Sequence, residues 1–185
     1  MSRPLFTSGT ARGGTNLRAQ ILSVNKDVCL ASDPYLPLFR ELSYAILQKT
    51  ADSQIMEEFE TNPYLSDYYF SPTKLKMMKF IQEANLDVKF DQDSWPKLLE
   101  TMTKRSSLAS ANLIPFLDLL PSSSFLGVFK NALKVIENAY REEECKWIGF
   151  NDNWAIEFFA PLARAFPDAR FMIHLRDPRG AIEGA

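Results

Sequence analysis

An apolar run, a glycine-containing loop and the start of a helical pattern follow one another near the beginning of the chain. This segment, residues 4–17, reads PLFTSGTARGGTNL. A strand that turns tightly into a helix directs several backbone N–H groups to one spot, where the positive end of the helix dipole adds to them. The segment therefore predicts a site for phosphate or sulfate, formed by Gly13, Gly14, Thr15 and Asn16.

The residues inside the loop argue against a standard ATPase or GTPase. The spacing from Gly9 to Gly14 matches the glycines of a Walker A loop, but Thr15 stands where that loop needs its lysine. The positive charge lies instead at Arg12. A glycine-rich turn that binds nothing is the alternative if this segment is considered alone.

A second segment near the other end of the sequence supports an anion site. Residues 166–179 read FPDARFMIHLRDPR, in which an apolar run at 170–175 predicts a strand that ends at Arg176. Together the two segments resemble the sulfotransferases that use 3′-phosphoadenosine 5′-phosphosulfate (PAPS). Their motif spacing is most similar to that of the tyrosylprotein and bacterial sulfotransferases.

The resemblance implies a role for each motif. In this family the first loop holds the 5′-phosphosulfate, so Arg12 and residues 13–16 would bind that group and Arg12 would also act in catalysis. The second motif holds the 3′-phosphate, which implies Arg176 with help from Arg179. A family serine that also binds the 3′-phosphate is replaced here by Gly184, and a family lysine near the transferred group is replaced by Asn151.

The catalytic base is less well marked. Tyrosylprotein sulfotransferases use a glutamate 21 residues after the loop arginine, and Asp33 occupies that position. A helix cap is the alternative for Asp33, because Asp before Pro and an apolar run is a common helix entry. The single histidine, His174, lies within a predicted strand, where packing is the more usual role, and Glu41 is the next candidate.

Composition is that of an ordinary soluble enzyme domain. The 185 residues are 46% hydrophobic, which is enough for one core and predicts a single domain over 1–185. A net charge of -2 provides no general attraction to nucleic acid or to an anionic membrane. The two cysteines form neither a disulfide framework nor a metal-ligand spacing, and no apolar run reaches the ~18 residues of a membrane span. These observations favour a cytoplasmic protein without a metal site.

The resemblance and the apolar patterns together predict an α/β fold. We expect a three-layer, P-loop-like parallel sheet flanked by helices, with a helical insertion after the first helix. Three strands are predicted, at 5–8, 147–150 and 170–175. Helices are predicted at 36–48, 73–84 and 124–141, a less regular one at 91–103, and a loop at 62–72. The family normally continues well beyond Ala185, so the C-terminal part of the fold is expected to be missing and one sheet edge open to self-association.

The function implied by the resemblance is transfer of a sulfuryl group from PAPS to a hydroxyl or amine. The acceptor is left open among small molecules, glycans and proteins. A P-loop nucleotide kinase and a non-catalytic fragment that binds an anion or a partner are the alternatives. Six aromatic residues of the insertion could line an acceptor site or belong to the core: Tyr35, Phe39, Tyr44, Tyr68, Tyr69 and Trp95.

Overall fold

The protein is built on a parallel sheet of four strands. The computed structural model describes residues 2–9, 13–61, 72–140, 145–153, 155–175 and 177. The strands are β1 (Arg3–Gly9), β2 (Val28–Ser32), β3 (Trp147–Asn151) and β4 (Arg170–His174). They lie in the order β2-β3-β1-β4, and every pairing is parallel. The expected α/β class, a parallel sheet flanked by helices, is confirmed.

Seven α-helices and three 3₁₀ segments surround the sheet in the described part of the chain. The helices are α1 (Thr15–Ser23), α2 (Leu36–Thr50), α3 (Ser53–Thr61), α4 (Pro72–Glu83), α5 (Trp95–Ala109), α6 (Phe125–Tyr140) and α7 (Phe159–Ala165). The 3₁₀ segments are Gln92–Ser94, Ala111–Leu119 and Ala155–Phe158. Pro37 and Pro96 lie in the first turns of α2 and α5, where a missing N–H costs no helical hydrogen bond.

The helices predicted at 36–48, 73–84 and 124–141 are present, with ends displaced by no more than two residues. The less regular segment at 91–103 forms a 3₁₀ turn followed by α5, which continues to Ala109. Helices α3 and α7 were not predicted, because they are short, with nine and seven residues. The predicted loop falls largely on residues 62–71, which lie outside the described residues.

The prediction of three strands was wrong, because the sheet has four. The fourth, β2, is a five-residue run, VCLAS, that pairs with β3 from Val28↔Trp147 to Ser32↔Asn151. Two of its five residues are small, so its apolar signal is weak. Its partner strand lies far along the chain, and this tertiary pairing has no local sequence pattern.

The register of the sheet brings the carboxyl ends of three strands to one edge. Asn151 at the end of β3 pairs with Thr7 of β1 on one side and with Ser32 of β2 on the other. After β1 the chain continues to β2, at one edge of the sheet. After β3 it continues to β4, at the opposite edge, so the direction of the connections reverses between β1 and β3. In open parallel sheets, ligands bind outside the carboxyl ends at such a reversal.

A buried aromatic cluster holds the larger group of helices on one face of the sheet. The ring centroids of Phe6 and Phe150 are 5.1 Å apart, and Tyr35 packs edge-on against Phe150 at 5.2 Å. The Tyr35 hydroxyl donates a hydrogen bond of 2.8 Å to the Ala132 carbonyl of α6, which fixes the start of α2 against α6. The other face carries α1, whose Ala19 packs in a smaller cluster with strand residues.

One edge strand is exposed. Within the described residues β4 pairs with β1 alone, and the side chains of Ile173 and Leu175 are 49% and 76% exposed. Both cysteines, Cys29 and Cys145, are buried thiols. None of the helices in the described ranges has the length and apolar character needed to cross a membrane.

Candidate active site

The turn between β1 and α1 presents the N-terminus of a helix at the carboxyl edge of the sheet. Gly14 is the N-cap of α1 and has a φ of 85°, a left-handed conformation that glycine adopts without strain. No acidic side chain lies in the first turn of α1. The first N–H groups of α1 have no partner within the helix, as at any helix start.

Gly9 ends β1 at a point where β4 and α1 come too close for a larger residue. A Cβ atom on Gly9 would lie 2.5 Å from the His174 carbonyl oxygen and 2.7 Å from the Thr15 side chain. The His174 ring also lies beside the turn, since its Nε2 is 4.0 Å from the position of a Cβ on Gly14. His174 is therefore an imidazole at the rim of the candidate site.

Hydrogen bonds tie the turn to the segment that follows β3. The Thr15 hydroxyl donates to the Asn153 side-chain oxygen at 3.1 Å, and the Ser8 hydroxyl donates to the Asn153 carbonyl at 3.1 Å. Gly14, not Thr15, is the N-cap of α1.

Asn151 connects the three strand ends. Its side-chain oxygen accepts a hydrogen bond from the Thr7 hydroxyl at 2.9 Å, and its amide nitrogen lies 3.5 Å from the Asn16 side-chain oxygen. Asn16 also accepts a hydrogen bond from the Ser32 hydroxyl at 3.2 Å. Asn151 is fully buried, so these bonds fix the relative positions of β1, β2 and the start of α1.

Arg18 brings a positive charge to this network. One of its terminal nitrogens donates to Asn151 Oδ1 at 3.0 Å and to the Ser8 carbonyl at 3.3 Å. Its Nε and Nη1 atoms are buried and have no hydrogen-bond partner among the described residues. Burial lowers the pKa of the guanidinium group. Arg18 was not predicted as a site residue. Its spacing of three residues from Thr15, which places both side chains on one face of α1, is the signal that could have identified it.

Asp33 follows β2 at the same edge. Its N–H donates to the Asn151 carbonyl at 2.6 Å, and Arg105 Nε donates to the Asp33 carbonyl at 3.1 Å. Burial raises the pKa of the Asp33 carboxyl, while the Arg105 charge and a hydrogen bond from the Asn153 backbone oppose that rise. The N-cap of α2 is Tyr35, so the structure does not support the helix-cap interpretation of Asp33.

A cleft of about 900 Å³ lies between α2, α3 and α5. Arg105 lies in its wall, as does Glu41. Burial raises the pKa of the Glu41 carboxyl, an effect opposed by the charges of Arg40 and Lys97.

The six aromatic residues of the insertion separate into three groups. Tyr35 and Trp95 are core residues, while Phe39 is buried at the floor of the cleft and Tyr44 is part of its wall. Tyr68 and Tyr69 lie outside the described residues. The cleft therefore includes two of the six.

The structure gathers part of the predicted site. Gly13, Gly14, Thr15, Asn16 and Asp33 all lie at the carboxyl edge of the sheet, and their roles stay predictions. Four further positions, Arg12, Arg176, Arg179 and Gly184, lie outside the described residues.

Comparisons of the chain with protein-family models, with curated proteins and with solved structures each found no match. The residues at the carboxyl edge are thus the basis of a functional assignment. They combine the start of a helix, a half-buried cation and a partly buried carboxyl group in one hydrogen-bonded network. Such a network is suited to binding an anion and moving a proton beside it.

Proposed function

We propose that the protein transfers a sulfuryl group from PAPS to a hydroxyl or amine. The observation that carries this proposal is the half-buried Arg18, whose Nε and Nη1 atoms are buried and have no partner among the described residues. Buried N–H groups in native proteins are nearly always hydrogen-bonded, often to a water or an ion. Since this cation lies beside the N-terminus of α1, the group that satisfies it is best explained as an anion.

Two features favour a sulfuryl donor over ATP. Thr15 stands where an ATP-binding loop has its lysine, and the Thr15 hydroxyl is engaged with Asn153. The two loops also resemble those of PAPS-dependent enzymes in order and spacing. Asn151, which replaces the family lysine, accepts a hydrogen bond from Arg18, so a positive charge is present beside that position.

In the proposed sulfuryl transfer, Asp33, the start of α1 and Arg18 each have a role. A carboxylate oxygen of Asp33 removes the proton from the acceptor hydroxyl, and the acceptor oxygen forms a bond to sulfur. The bond between sulfur and the bridging phosphate oxygen breaks, and the electron pair stays on the phosphate. The N–H groups at the start of α1 and the Arg18 charge stabilise the negative charge that develops. A raised pKa makes the Asp33 carboxylate a better base.

Thermal unfolding with two nucleotides tests the proposal. Adenosine 3′,5′-bisphosphate, the product of the reaction, should raise the melting temperature more than ATP with magnesium at equal concentration. At a concentration about a hundredfold above its Kd, the bisphosphate should raise the free energy of unfolding by about 2.7 kcal/mol. For a chain of this size, that corresponds to a rise in melting temperature of roughly 5–10 °C. Equal or greater stabilisation by ATP would contradict the proposal.

Two arginine variants test whether the bisphosphate raises the melting temperature by binding at Arg18. Arg18→Met should lose most of the bisphosphate-dependent shift, because it removes the positive charge and the unpartnered N–H groups of the site. Arg3→Met is the matched control, since Arg3 is an exposed cation at the opposite end of β1. A full shift in Arg18→Met would show that the nucleotide binds without this cation.

A further inference from the structure

The end of β2 and the residue that follows it are bound by helix α5 as well as by the sheet. Helix α5 belongs to the insertion between β2 and β3. Two side chains at its C-terminal end donate hydrogen bonds to consecutive carbonyl groups there. Ser110 Oγ donates to the Ser32 carbonyl at 2.8 Å. Arg105 Nε donates to the Asp33 carbonyl at 3.1 Å. The insertion therefore fixes two successive carbonyl groups beside the proposed base.

Core packing fixes the position of α5. Leu98 and Met102 lie one turn apart on this helix, and both are buried in the hydrophobic core. Ser110, the C-cap residue of α5, is also buried, and its N–H donates to the Ser106 carbonyl at 2.8 Å. Arg105 lies three residues after Met102, so its side chain emerges beside the anchored face of the helix. The bonds from α5 to the end of β2 therefore start from a rigid support.

The Asp33 carboxyl is bound by a further element, the segment after β3. The backbone N–H of Asn153 donates a hydrogen bond to this carboxyl. The same residue accepts hydrogen bonds from the Ser8 and Thr15 hydroxyls. One residue therefore connects the carboxyl to the end of β1 and the start of α1, where the proposed function places the sulfuryl donor. A displacement of Asp33 would change its distance from that donor.

Arg105 also brings a positive charge to the Asp33 carboxyl. Burial raises the pKa of this carboxyl, and the charge of Arg105 opposes the rise. The side chains that α1 and the segment after β3 place at this edge, Asn16 and Asn153, carry no charge. Three other cations of the described chain act elsewhere: Arg18 bonds to Asn151, and Arg40 and Lys97 act on the Glu41 carboxyl. The charge of Arg105 therefore favours the ionised form of Asp33.

We propose that Arg105 is a positioning residue for sulfuryl transfer, which holds the Asp33 backbone with its Nε–H and keeps the carboxylate ionised with its charge. This role rests on the function proposed above. Asp33 has a φ of 51°, in the left-handed region, so its conformation needs partners that hold it. Arg105 acts through Asp33 and not on the nucleotide. The helical insertion is then part of the catalytic apparatus, since it supplies the support of the base.

Two substitutions separate the two contributions of Arg105. In Arg105→Gln, the side-chain amide nitrogen lies as many bonds from the backbone as Nε of arginine, so it can still donate to the Asp33 carbonyl, but the charge is lost. Arg105→Met has a similar length and removes both the donor and the charge. Arg105 is only half-buried, so both variants are expected to fold. Lys97→Met is the matched control, because it removes an exposed cation of α5 whose charge acts on Glu41 instead.

The first measurement follows the Asp33 carboxyl and needs no activity. Its ¹³C resonance is titrated with pH and is assigned by its absence from Asp33→Asn. The midpoint should lie at higher pH in Arg105→Gln and Arg105→Met than in the unmodified protein, because a cation that favours the ionised form has been removed. Lys97→Met should leave the midpoint unchanged. An unchanged midpoint in both Arg105 variants would overturn the proposal.

The second measurement is the release of inorganic sulfate from PAPS at neutral pH, with water as the acceptor hydroxyl. Loss of the Nε–H donor allows Asp33 to move, so we expect Arg105→Met to release sulfate about ten- to a hundredfold more slowly. Arg105→Gln should restore most of the rate, a rescue that depends on the donor and not on the charge. The melting shift with adenosine 3′,5′-bisphosphate should be retained in both variants. A full rate in Arg105→Met, or equal losses in the two variants, would overturn the positioning role.

The carboxyl titration and the nucleotide measurement can fail separately. Displaced midpoints without stabilisation by the bisphosphate would retain Arg105 as the cation that acts on Asp33 and remove the sulfotransferase function. Stabilisation by the bisphosphate with undisplaced midpoints would retain the function and overturn the role of Arg105.

Discussion

Asp33 is held in a backbone conformation that few residues adopt. Its φ of 51° lies in the left-handed region, which aspartate enters more readily than most residues but still at some cost. The cost, on the order of 1 kcal/mol, is offset by hydrogen bonds to the Asn151 carbonyl and from Arg105. Because strained residues are concentrated at functional sites, this geometry supports a chemical role for the Asp33 carboxyl.

Asp33→Asn should preserve this geometry and remove the base. We expect the rate of sulfuryl transfer to fall about 10²- to 10⁴-fold, while the melting shift with adenosine 3′,5′-bisphosphate stays unchanged. Asp118→Asn, at an exposed aspartate on a 3₁₀ segment, is the control and should retain full activity. The measurement is conversion of PAPS in the presence of acceptor.

The pH dependence of the transfer rate is a second test of the role of Asp33. Asp33 must be ionised to accept a proton, and burial raises the pKa of its carboxyl above 3.8. The loss of rate on the acidic side of the pH profile should therefore occur above pH 3.8. The rate should rise as the pH increases through this pKa. Full activity in Asp33→Asn would show that the base lies elsewhere, with His174 and Glu41 the next candidates.

The β1–turn–α1 unit could be predicted from the sequence because its signals are local. An apolar run, glycines and a helical pattern follow one another within residues 4–17. Arg18 is different, since its role depends on Asn151, which is 133 residues away along the chain. Strand β2 was missed for the same reason, because its pairing with β3 is a tertiary contact.

The 3₁₀ segment Ala155–Phe158 contributes a buried carboxyl group, that of Glu157. Glu157 and Lys74 of α4 are each only 3% exposed, and burial raises the pKa of Glu157 to about 8 although the Lys74 charge opposes the rise. The folded protein therefore keeps this proton up to about pH 8, whereas the unfolded chain releases it near pH 4.5. More protons are bound in the folded state between these values, so stability falls as the pH rises.

Urea unfolding at several pH values between 5 and 8 tests this dependence. The contribution of Glu157 to the free energy of unfolding should decrease by up to ~1.4 kcal/mol per pH unit. Glu157→Gln should remove that contribution and flatten the profile, whereas Glu57→Gln, at an exposed glutamate of α3, should leave it unchanged. Identical slopes in the unmodified protein and Glu157→Gln would contradict the assignment.

At the scale of the whole molecule, hydrogen bonds link the end of β2 both to the start of α1 and to the cleft between α2, α3 and α5. Ser32, next to Asp33, donates to Asn16 of α1, and Arg105, which donates to the Asp33 carbonyl, lines the cleft. The sequence predicted several of these helices from apolar spacing, and the parallel sheet from that spacing together with the family resemblance. It did not predict the cleft, because a space between α2 and α5 depends on how Tyr35 and Phe39 anchor α2 in the core.

The most direct test of the anion site is a backbone amide NMR titration. The ¹H–¹⁵N resonances of Gly13, Gly14 and Thr15 report the N–H groups at the start of α1. With adenosine 3′,5′-bisphosphate, these amides should shift more than those elsewhere in the chain and should saturate at one Kd. ATP with magnesium at equal concentration should shift them less. Saturable binding of the bisphosphate that leaves these three amides unchanged would contradict the account.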